Sequence, residues 1–157
     1  MAGRNLEILR QWIDGTLSTD QAPDGILMPP PISTAIPFTI TSIGEGTGVM
    51  EMDADAATLA NPMGTVQGGV LCTIADAAIG MTHWASLGDG DTFTSVDFRI
   101  NFFRPVWRNH LVATARVVHA GRTVSYYECD ITREDGKLVA HATSTVMTLR
   151  GEAASGR

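Results

Sequence analysis

Cysteine and lysine are both scarce in this sequence. Two cysteines, Cys72 and Cys129, occur among 157 residues. That is too few for a disulfide-stapled scaffold, and both lie in apolar stretches that predict buried thiols. Lysine occurs once, at Lys137, and the other ten basic residues are arginine. The four histidines have no metal-ligand spacing, so neither a metal site nor a cofactor is predicted.

Targeting and membrane-spanning segments are missing as well. The first residues contain no basic segment followed by an apolar run, so they do not predict a signal peptide. The longest apolar stretch, residues 70–81, is too short to span a membrane and contains Asp76. Neither a G-x-S-x-G nor a Walker motif occurs. The sequence predicts a cytoplasmic protein that binds no membrane.

The charge is acidic overall but uneven along the chain. The net charge of −6 disfavours a nucleic-acid partner. Residues 1–98 carry two basic and 12 acidic side chains, whereas residues 99–157 carry nine basic and five acidic ones. Because the arginine fork binds phosphate in a bidentate way, a small phosphorylated ligand at the second half is one interpretation. An unevenly charged, solvated surface is the other.

The chain divides into three predicted parts. Residues 1–37 predict an N-terminal helix, over 4–15, and a proline-rich arm that lies on the domain surface, since five of the seven prolines fall there. Residues 38–150 predict a single domain, and residues 151–157 a flexible tail.

Apolar periodicity in the domain predicts one long helix and six strands. The helix, over 67–87, is apolar nearly all round, which is typical of a buried helix. The order of elements and the short turns predict an α+β fold in which an antiparallel sheet wraps around this helix. The predicted strands span 38–43, 49–53, 95–102, 111–119, 122–133 and 137–149. In the third of them a period of two places Val96, Phe98, Ile100 and Phe102 on the buried face.

Asp76 is the unusual residue of the long helix. An ionised carboxylate between apolar neighbours is costly unless it is paired, and neither lysine nor arginine occurs between Arg10 and Arg99. One interpretation is an aspartate that pairs with a distant arginine or faces water. The other is a carboxylate of raised pKa that acts as a base or nucleophile in a pocket.

Two further features precede Asp76 in the chain. Gln67, Gly68 and Gly69 stand at the predicted start of the helix, where free backbone N–H groups can stabilise an oxyanion. Asn61 is followed by Pro62, a pair that favours a turn. The alternative interpretation is that the Asn61 amide orients a water molecule or a carbonyl group.

This series of Asn61, QGG at 67–69 and Asp76 resembles the hotdog-fold acyl-coenzyme A thioesterases, most closely the phenylacetate-pathway (PaaI-type) branch. The segments SVDFRINFFRP at 95–105 and HAGRT at 119–123 are also similar to that family. The likeness covers about residues 38–149. It implies the hotdog fold and hydrolysis of a thioester to a free acid and coenzyme A. Gln67 departs from the family, which often has histidine there, and so removes a titratable group.

The resemblance implies a role for each matching position. Asp76 is similar to the catalytic carboxylate, a general base or nucleophile, and Gly68 to the residue whose N–H forms the oxyanion hole. Asn61 is similar to the residue that positions the thioester or the water. Ser95, with Thr94 as its alternative, corresponds to the hydroxyl that holds the water. The implied substrate and coenzyme A contacts are Gln67, Gly69, Thr94, Gly121, Arg122 and Thr123, and Arg104 is a phosphate candidate by its charge.

The distance between Gly68 and Asp76 predicts how the site is assembled. Gly68 and Asp76 are eight residues apart, about 12 Å along a helix, yet both have to reach one carbonyl group. Two antiparallel helices from two chains can meet this requirement, which predicts a two-fold dimer with two composite sites. The family resemblance implies dimers that pair into tetramers. A non-catalytic acyl-coenzyme A binder and an enoyl-thioester hydratase remain alternatives, although the hydratase needs a histidine near Gly68.

Overall fold

The computed structural model describes residues 3–18 and 26–155. Residues 1–2, 19–25 and 156–157, which fall in the predicted arm and tail, lie outside the described residues. No helix in the described ranges is long and apolar enough to cross a membrane. The elements in chain order are α1 (Arg4–Ile13), a 3₁₀ turn (Pro31–Thr34), β1 (Phe38–Gly44), β2 (Thr47–Asp55), α2 (Ala56–Leu59), α3 (Gly68–Trp84), β3 (Thr92–Phe102), β4 (Arg108–Ala120), β5 (Val124–Arg133), β6 (Leu138–Leu149) and a second 3₁₀ turn (Gly151–Ala154).

The six strands form one antiparallel sheet in the order β1-β2-β4-β5-β6-β3. A two-residue turn joins β1 to β2, and its Gly46 has a φ of +72°, a conformation that favours glycine. Within this sheet β1 and β3 are the edge strands. The arrangement confirms the predicted α+β architecture and leaves β3 with one unpaired edge.

The main core lies between α3 and the sheet. Helix α3 contacts all six strands, and its Ile74 and Ala75 are fully buried. On the facing strand β4, Ala113 and Ala115 are equally buried. Small side chains on both surfaces let the helix backbone approach the sheet closely without leaving voids. Nine of the 17 residues of α3 are buried, and the face that carries Gly69, Cys72 and Asp76 is not covered by the sheet.

Helix α3 is slightly shorter than the predicted range of 67–87. Gln67 has an extended backbone, with φ −60° and ψ 134°, so it precedes the helix as its N-cap residue. After Trp84, the amide groups of residues 85–87 still bond to carbonyl groups of residues 81–84. The final turn therefore tightens rather than continuing as regular helix.

Of the two thiols predicted to be buried, that of Cys129 is buried and that of Cys72 is not. Cys129 is fully buried in the sheet, and burial raises the pKa of its thiol to about 12. Cys72 is only half-buried. It lies four residues before Asp76, on the same face of α3, and that face is not covered by the sheet.

A β-bulge in β3 changes which side chains point to the core. The pairing with β6 shifts between Ser95 and Asp97, which leaves Val96 unpaired. Val96 and Phe102 are 55% and 52% exposed, so the predicted burial of these two residues is wrong. Since one inserted residue reverses the alternation, Ser95 shares the face of Phe98 instead of the face of Asp97. The bulge thereby turns Ser95 towards α3.

The N-terminal helix is packed into the fold. Leu6 and Leu9 of α1 are buried in a second apolar cluster with Trp84 and Leu87. The side-chain amide of Asn5 donates to the carbonyl oxygens of Trp84 at 3.1 Å and Leu87 at 3.4 Å, which ties α1 to the end of α3 and the turn after it. The N-terminal helix is therefore an integral part of the packed fold, whereas a surface position was predicted only for the proline-rich residues after it.

His83 is a buried polar residue near the end of α3. Its Nδ1 lies 3.0 Å from the hydroxyl of Tyr127, and its Nε2 lies 3.0 Å from the hydroxyl of Thr148. Burial, helped by the charge of Arg150, lowers the pKa of His83 to about 4. The ring is therefore neutral at pH 7 and links α3 to β5 and β6.

Candidate active site

Asp76 opens onto a cavity of about 410 Å³. It lies on the third turn of α3, and its Oδ1 is 3.5 Å from Oγ of Ser95 on β3, which is long for a hydrogen bond. Most other side chains around the cavity are apolar, among them Ala77, Met81 and Phe93. A single carboxylate at the end of an apolar cavity is the arrangement expected of a ligand site with one polar attachment point.

The surroundings of Asp76 favour its protonated form. Burial of the carboxylate among apolar atoms raises its pKa above the ordinary value of 3.8, and the hydrogen bond from Ser95 offsets part of this rise. Within the described residues, no lysine or arginine contributes to the shift. A carboxylate in such a setting accepts a proton more readily than an ordinary surface aspartate does.

The solvent accessibility of Asp76 differs from that of its neighbours in α3. Asp76 is exposed, although Ala75 and Ala78 beside it are almost completely buried. Helix α3 packs one side against the sheet, but Asp76 faces the cavity, which is open to solvent. The carboxylate is thus both accessible to water and crowded by apolar groups.

The first turn of α3 offers unpaired backbone donors. N–H groups in the first turn of a helix have no carbonyl partner within the helix, and the side chain of Gln67 does not cap α3. Gly68 borders a second cavity of about 370 Å³. A Cβ at Gly68 would lie 3.1 Å from Cζ of Phe102, so glycine allows the backbone to approach this ring.

Asn61 also borders the second cavity, and its side chain forms hydrogen bonds within its own loop. Its Oδ1 accepts hydrogen bonds from the backbone N–H of Met63 at 2.9 Å and of Thr65 at 3.3 Å. Its Nδ2 donates to Oγ1 of Thr65 at 3.0 Å. These bonds agree with the turn interpretation, and they fix the position of the amide beside Gly68.

The predicted catalytic residues therefore fall into two groups within one chain. Asp76 and Ser95 border the first cavity, whereas Asn61 and Gly68 border the second. Eight residues of helix, about 12 Å, separate Gly68 from Asp76. A single chain does not bring these two residues to one reacting carbonyl group.

The implied coenzyme A contacts are spread over several places. Gly121, Arg122 and Thr123 form the turn between β4 and β5, and Gly121 packs so closely on the carbonyl of Val124 that a side chain would not fit. The side chain of Arg122 is exposed, while its carbonyl accepts a hydrogen bond from Nη1 of Arg150. This leaves the Arg122 guanidinium available to an anionic ligand.

The remaining implied contacts lie nearer the two cavities. Arg104 borders the cavity of Gly68 and donates from Nη1 to the carbonyl of Leu138. Gln67 and Gly69 are exposed at the start of α3. Thr94 is half-buried and pairs with Met147 in the sheet.

Several large apolar side chains stay exposed along and after edge strand β3. Val96, Phe102, Phe103 and Trp107 are each more than half exposed. Clustered exposed apolar residues mark interaction surfaces, and an unpaired sheet edge offers free backbone groups to a partner. This surface is called the β3 edge below.

Sequence reasoning left open whether the proline-rich arm covers a pocket or an interface, and its described part borders the first cavity. Trp12 of α1 and residues 26–30 border the same cavity as Asp76. The prolines there predict irregular backbone but carry no information on what the segment covers. The only hint was apolar character between the prolines, at Ile26, Leu27 and Met28.

Comparison with known proteins gives consistent matches. The family model described as Thioesterase superfamily matches residues 63–140, a range that contains Gly68 and Asp76. A protein of Haemophilus influenzae named "Putative esterase" is 30% identical over 112 residues, which cover 70% of this chain and 80% of that protein.

Solved structures share the fold over most of their length. The PaaI protein from the phenylacetic acid degradation operon of E. coli is 27% identical, with a TM-score of 0.71, over 78% of this chain and 86% of that one. A phenylacetic acid degradation-related protein of Ralstonia eutropha is 27% identical, with a TM-score of 0.72, over 89% and 98% of the two chains. These similarities confirm the predicted fold.

Proposed function

The chain belongs to the thioesterase superfamily, in the PaaI-type branch of hotdog-fold thioester hydrolases, and we propose that it hydrolyses acyl-coenzyme A with Asp76 as the catalytic carboxylate. The products are a free carboxylic acid and the thiol of coenzyme A. One observation carries the proposal: the Asp76 carboxylate stands at an apolar cavity with the Ser95 hydroxyl 3.5 Å away. A cytoplasmic location stays a prediction from the sequence.

The reaction can follow two routes from this carboxylate. As a general base, Asp76 accepts a proton from water while the water oxygen attacks the thioester carbon. As a nucleophile, Asp76 attacks that carbon itself and forms an anhydride, which water then hydrolyses. In both routes the carbon–sulfur bond breaks and the thiolate leaves. Ser95 holds the water, and the Gly68 N–H donates to the carbonyl oxygen as it becomes negative.

A second copy of the chain completes the site in this proposal. Asp76 of one chain meets Gly68 and Asn61 of the other, because the distance of about 12 Å within one helix is too long for a shared carbonyl group. The exposed apolar β3 edge supports a partner on this side of the fold. A two-fold arrangement forms two equal sites, and pairing of such dimers into a tetramer belongs to the same proposal.

Arginine is the group proposed to bind the phosphates of coenzyme A. Arg104 borders the cavity of Gly68, and the Arg122 side chain is exposed on its turn. Both carry the planar fork that suits phosphate. The backbone of Gly121 and Thr123 is proposed to support Arg122 there, while Gln67, Gly69 and Thr94 contact the pantetheine or thioester portion.

Replacement of one carboxylate tests the assignment. Asp76→Asn should lower kcat/KM on an acyl-coenzyme A by about a hundredfold or more, because proton transfer by the carboxylate is lost. Asp135→Asn, which changes a surface carboxylate paired with Arg133, is the control and should keep wild-type turnover. Full activity in Asp76→Asn would refute the assignment. A wild-type protein that binds acyl-coenzyme A without turnover would instead be a binder.

Mixing two inactive variants tests the composite site. Gly68→Pro removes the proposed N–H donor at the first helical position, where proline is tolerated after the extended backbone of Gln67. Gly68→Ala keeps the N–H and serves as its control. Co-expression of Gly68→Pro with Asp76→Asn creates dimers with one intact site and should restore about a quarter of wild-type activity. No recovery at all would place both residues in a site within one chain.

Isotope labelling separates the two chemical routes. Repeated turnovers in ¹⁸O-water label the Asp76 side chain only if Asp76 is the nucleophile and water attacks the Asp76 carbonyl of the anhydride. Mass spectrometry of the peptide that contains Asp76 measures this transfer. A labelled peptide identifies Asp76 as the nucleophile, and an unlabelled peptide after many turnovers excludes water attack on the Asp76 carbonyl of an anhydride.

A further inference from the structure

The cavity at Asp76 runs along α3 towards the end of that helix. Asp76, Gly80 and Trp84 all border it, and residues four apart lie on one face of a helix. These three residues span two helical turns, which is about 12 Å. The cavity therefore has a defined direction, away from the carboxylate and towards Trp84.

The lining of the cavity changes from polar to apolar along this direction. Thr73 and Ser95 lie at the Asp76 end, one turn before it and across from it on β3. Towards the other end the cavity is lined by Met81, Trp84 and Phe93, which offer no group for a charged or strongly polar substituent. The portion of a ligand that enters beyond Asp76 is thus a hydrocarbon.

The N-terminal segment closes the far side of this cavity. Trp12 and residues 26–30 line it. The helix that carries Trp12 is held by the buried Leu9 and by the hydrogen bonds of Asn5 to the carbonyls of Trp84 and Leu87. The wall is therefore part of the packed fold and limits the depth of the cavity.

A neighbouring cavity lies behind the same wall. It measures about 320 Å³ and shares with the first cavity the residues Trp12 and 26–29. These shared residues, called the partition here, stand between two apolar spaces. Removing the largest side chain of the partition, Trp12, would join them.

Resting on the proposed function, we propose that this cavity binds the acyl chain of a medium-length acyl-coenzyme A, octanoyl to decanoyl, and that the partition sets its upper length. A chain of this length extends about as far as the two helical turns from Asp76 to Trp84. Gly80 leaves the middle of the cavity open, since a Cβ there would contact only the Phe93 ring, at 3.4 Å. Gly80 and Trp12 are therefore specificity-determining residues.

Two substitutions move the length preference in opposite directions. Wild-type kcat/KM should peak at octanoyl- or decanoyl-coenzyme A in a series from butyryl to palmitoyl that includes phenylacetyl. Gly80→Leu should lower kcat/KM on decanoyl-coenzyme A about tenfold or more relative to its effect on butyryl-coenzyme A, because a few methylene groups of the longer chain lose their apolar site. Trp12→Ala should raise kcat/KM on palmitoyl-coenzyme A about tenfold by opening the second cavity.

Gly80→Ala and Trp12→Phe are milder versions that keep the test decisive if a larger change unfolds the chain. The Ala side chain meets Phe93 at an ordinary contact distance and should produce a smaller shift in the same direction. Circular dichroism of each variant verifies its fold. A wild-type peak at butyryl or phenylacetyl, or a length profile that no folded variant changes, would overturn the inference.

Binding data separate this inference from the proposed function. Calorimetry of the same acyl-coenzyme A series with Asp76→Asn gives the length profile without turnover. A medium-chain optimum in binding, with no hydrolysis by the wild type, would refute the proposed function and support the acyl pocket. Hydrolysis by the wild type with Kd values independent of chain length would refute the acyl pocket alone.

Discussion

Lowering the pH from 7 to 5 should destabilise this protein through one buried side chain, His83. Burial lowers the pKa of His83 to about 4, whereas the unfolded chain has the ordinary value of 6.5. Between these two values the unfolded state binds more protons than the folded state. The stability that depends on neutral His83 is complete above pH 6.5 and is lost as the pH falls from there to 4.

The size of the effect follows from the same two pKa values. Their difference, 6.5 minus about 4, corresponds to about 3 kcal/mol in total at 1.36 kcal/mol per unit. Between pH 7 and pH 5 the linkage relation gives about 2 kcal/mol of this amount. Both ring nitrogens already have hydroxyl partners, Tyr127 and Thr148, so a proton added to the ring requires the hydroxyl that donated to it to rotate and accept instead.

Urea unfolding at several pH values measures the effect. His83→Gln keeps a hydrogen-bonding side chain but does not titrate, so its unfolding free energy should fall about 2 kcal/mol less than that of the wild type from pH 7 to 5. His110→Gln is the matched control, because hydrogen bonds to Asp53 and Glu51 raise the pKa of His110. Its loss should change the pH slope in the opposite direction. Equal pH slopes for the wild type and His83→Gln would refute the reasoning.

Two more predictions concern the active site and the N-terminal helix. The kcat/KM of the wild type should fall as the pH drops through the raised pKa of Asp76. Ser95→Ala should move this fall to higher pH, because the Ser95 hydrogen bond lowers the pKa of Asp76. A pH–rate profile that Ser95→Ala leaves unchanged would contradict the contact between the two residues. Asn5→Ala should cost about 1–3 kcal/mol in urea unfolding because the Leu87 carbonyl loses its Asn5 donor and the Trp84 carbonyl keeps only the Leu87 N–H. Arg4→Ala, which breaks only an exposed ion pair with Asp89, should cost less than about 0.5 kcal/mol, and equal costs would argue against the role of Asn5.

Local patterns predicted the elements of the fold well. The strands and α3 follow from apolar periodicity and turn residues, which depend on neighbours within a few positions. Local patterns did not predict which side chains of β3 are buried. The residues from Ser95 to Phe102 alternate without interruption in the sequence, yet the pairing with β6 inserts a bulge at Val96. A bulge is a property of two strands together, so one strand's sequence does not reveal it.

The candidate site was predictable in its residue types but not in its grouping. An aspartate among apolar neighbours and a Gly-Gly helix start are visible in the sequence, and family resemblance named Asn61 and Ser95. The sequence left two interpretations of Asp76 open, because whether a helix residue faces the sheet, water or a cavity depends on which part of the helix surface the sheet covers. The separation of Asp76 from Gly68 followed from helix geometry alone.

The sequence by itself determined the helix and strand order, the apolar character of α3 and the chemistry that each side chain can perform, since these depend on residue type and local spacing. Tertiary structure alone decided that the bulge turns Ser95 to Asp76, that α1 closes the end of the cavity and that Trp12 stands between two apolar spaces. Each of these brings together residues that are distant in the chain. Their positions depend on the packing of the whole domain, which no local period encodes.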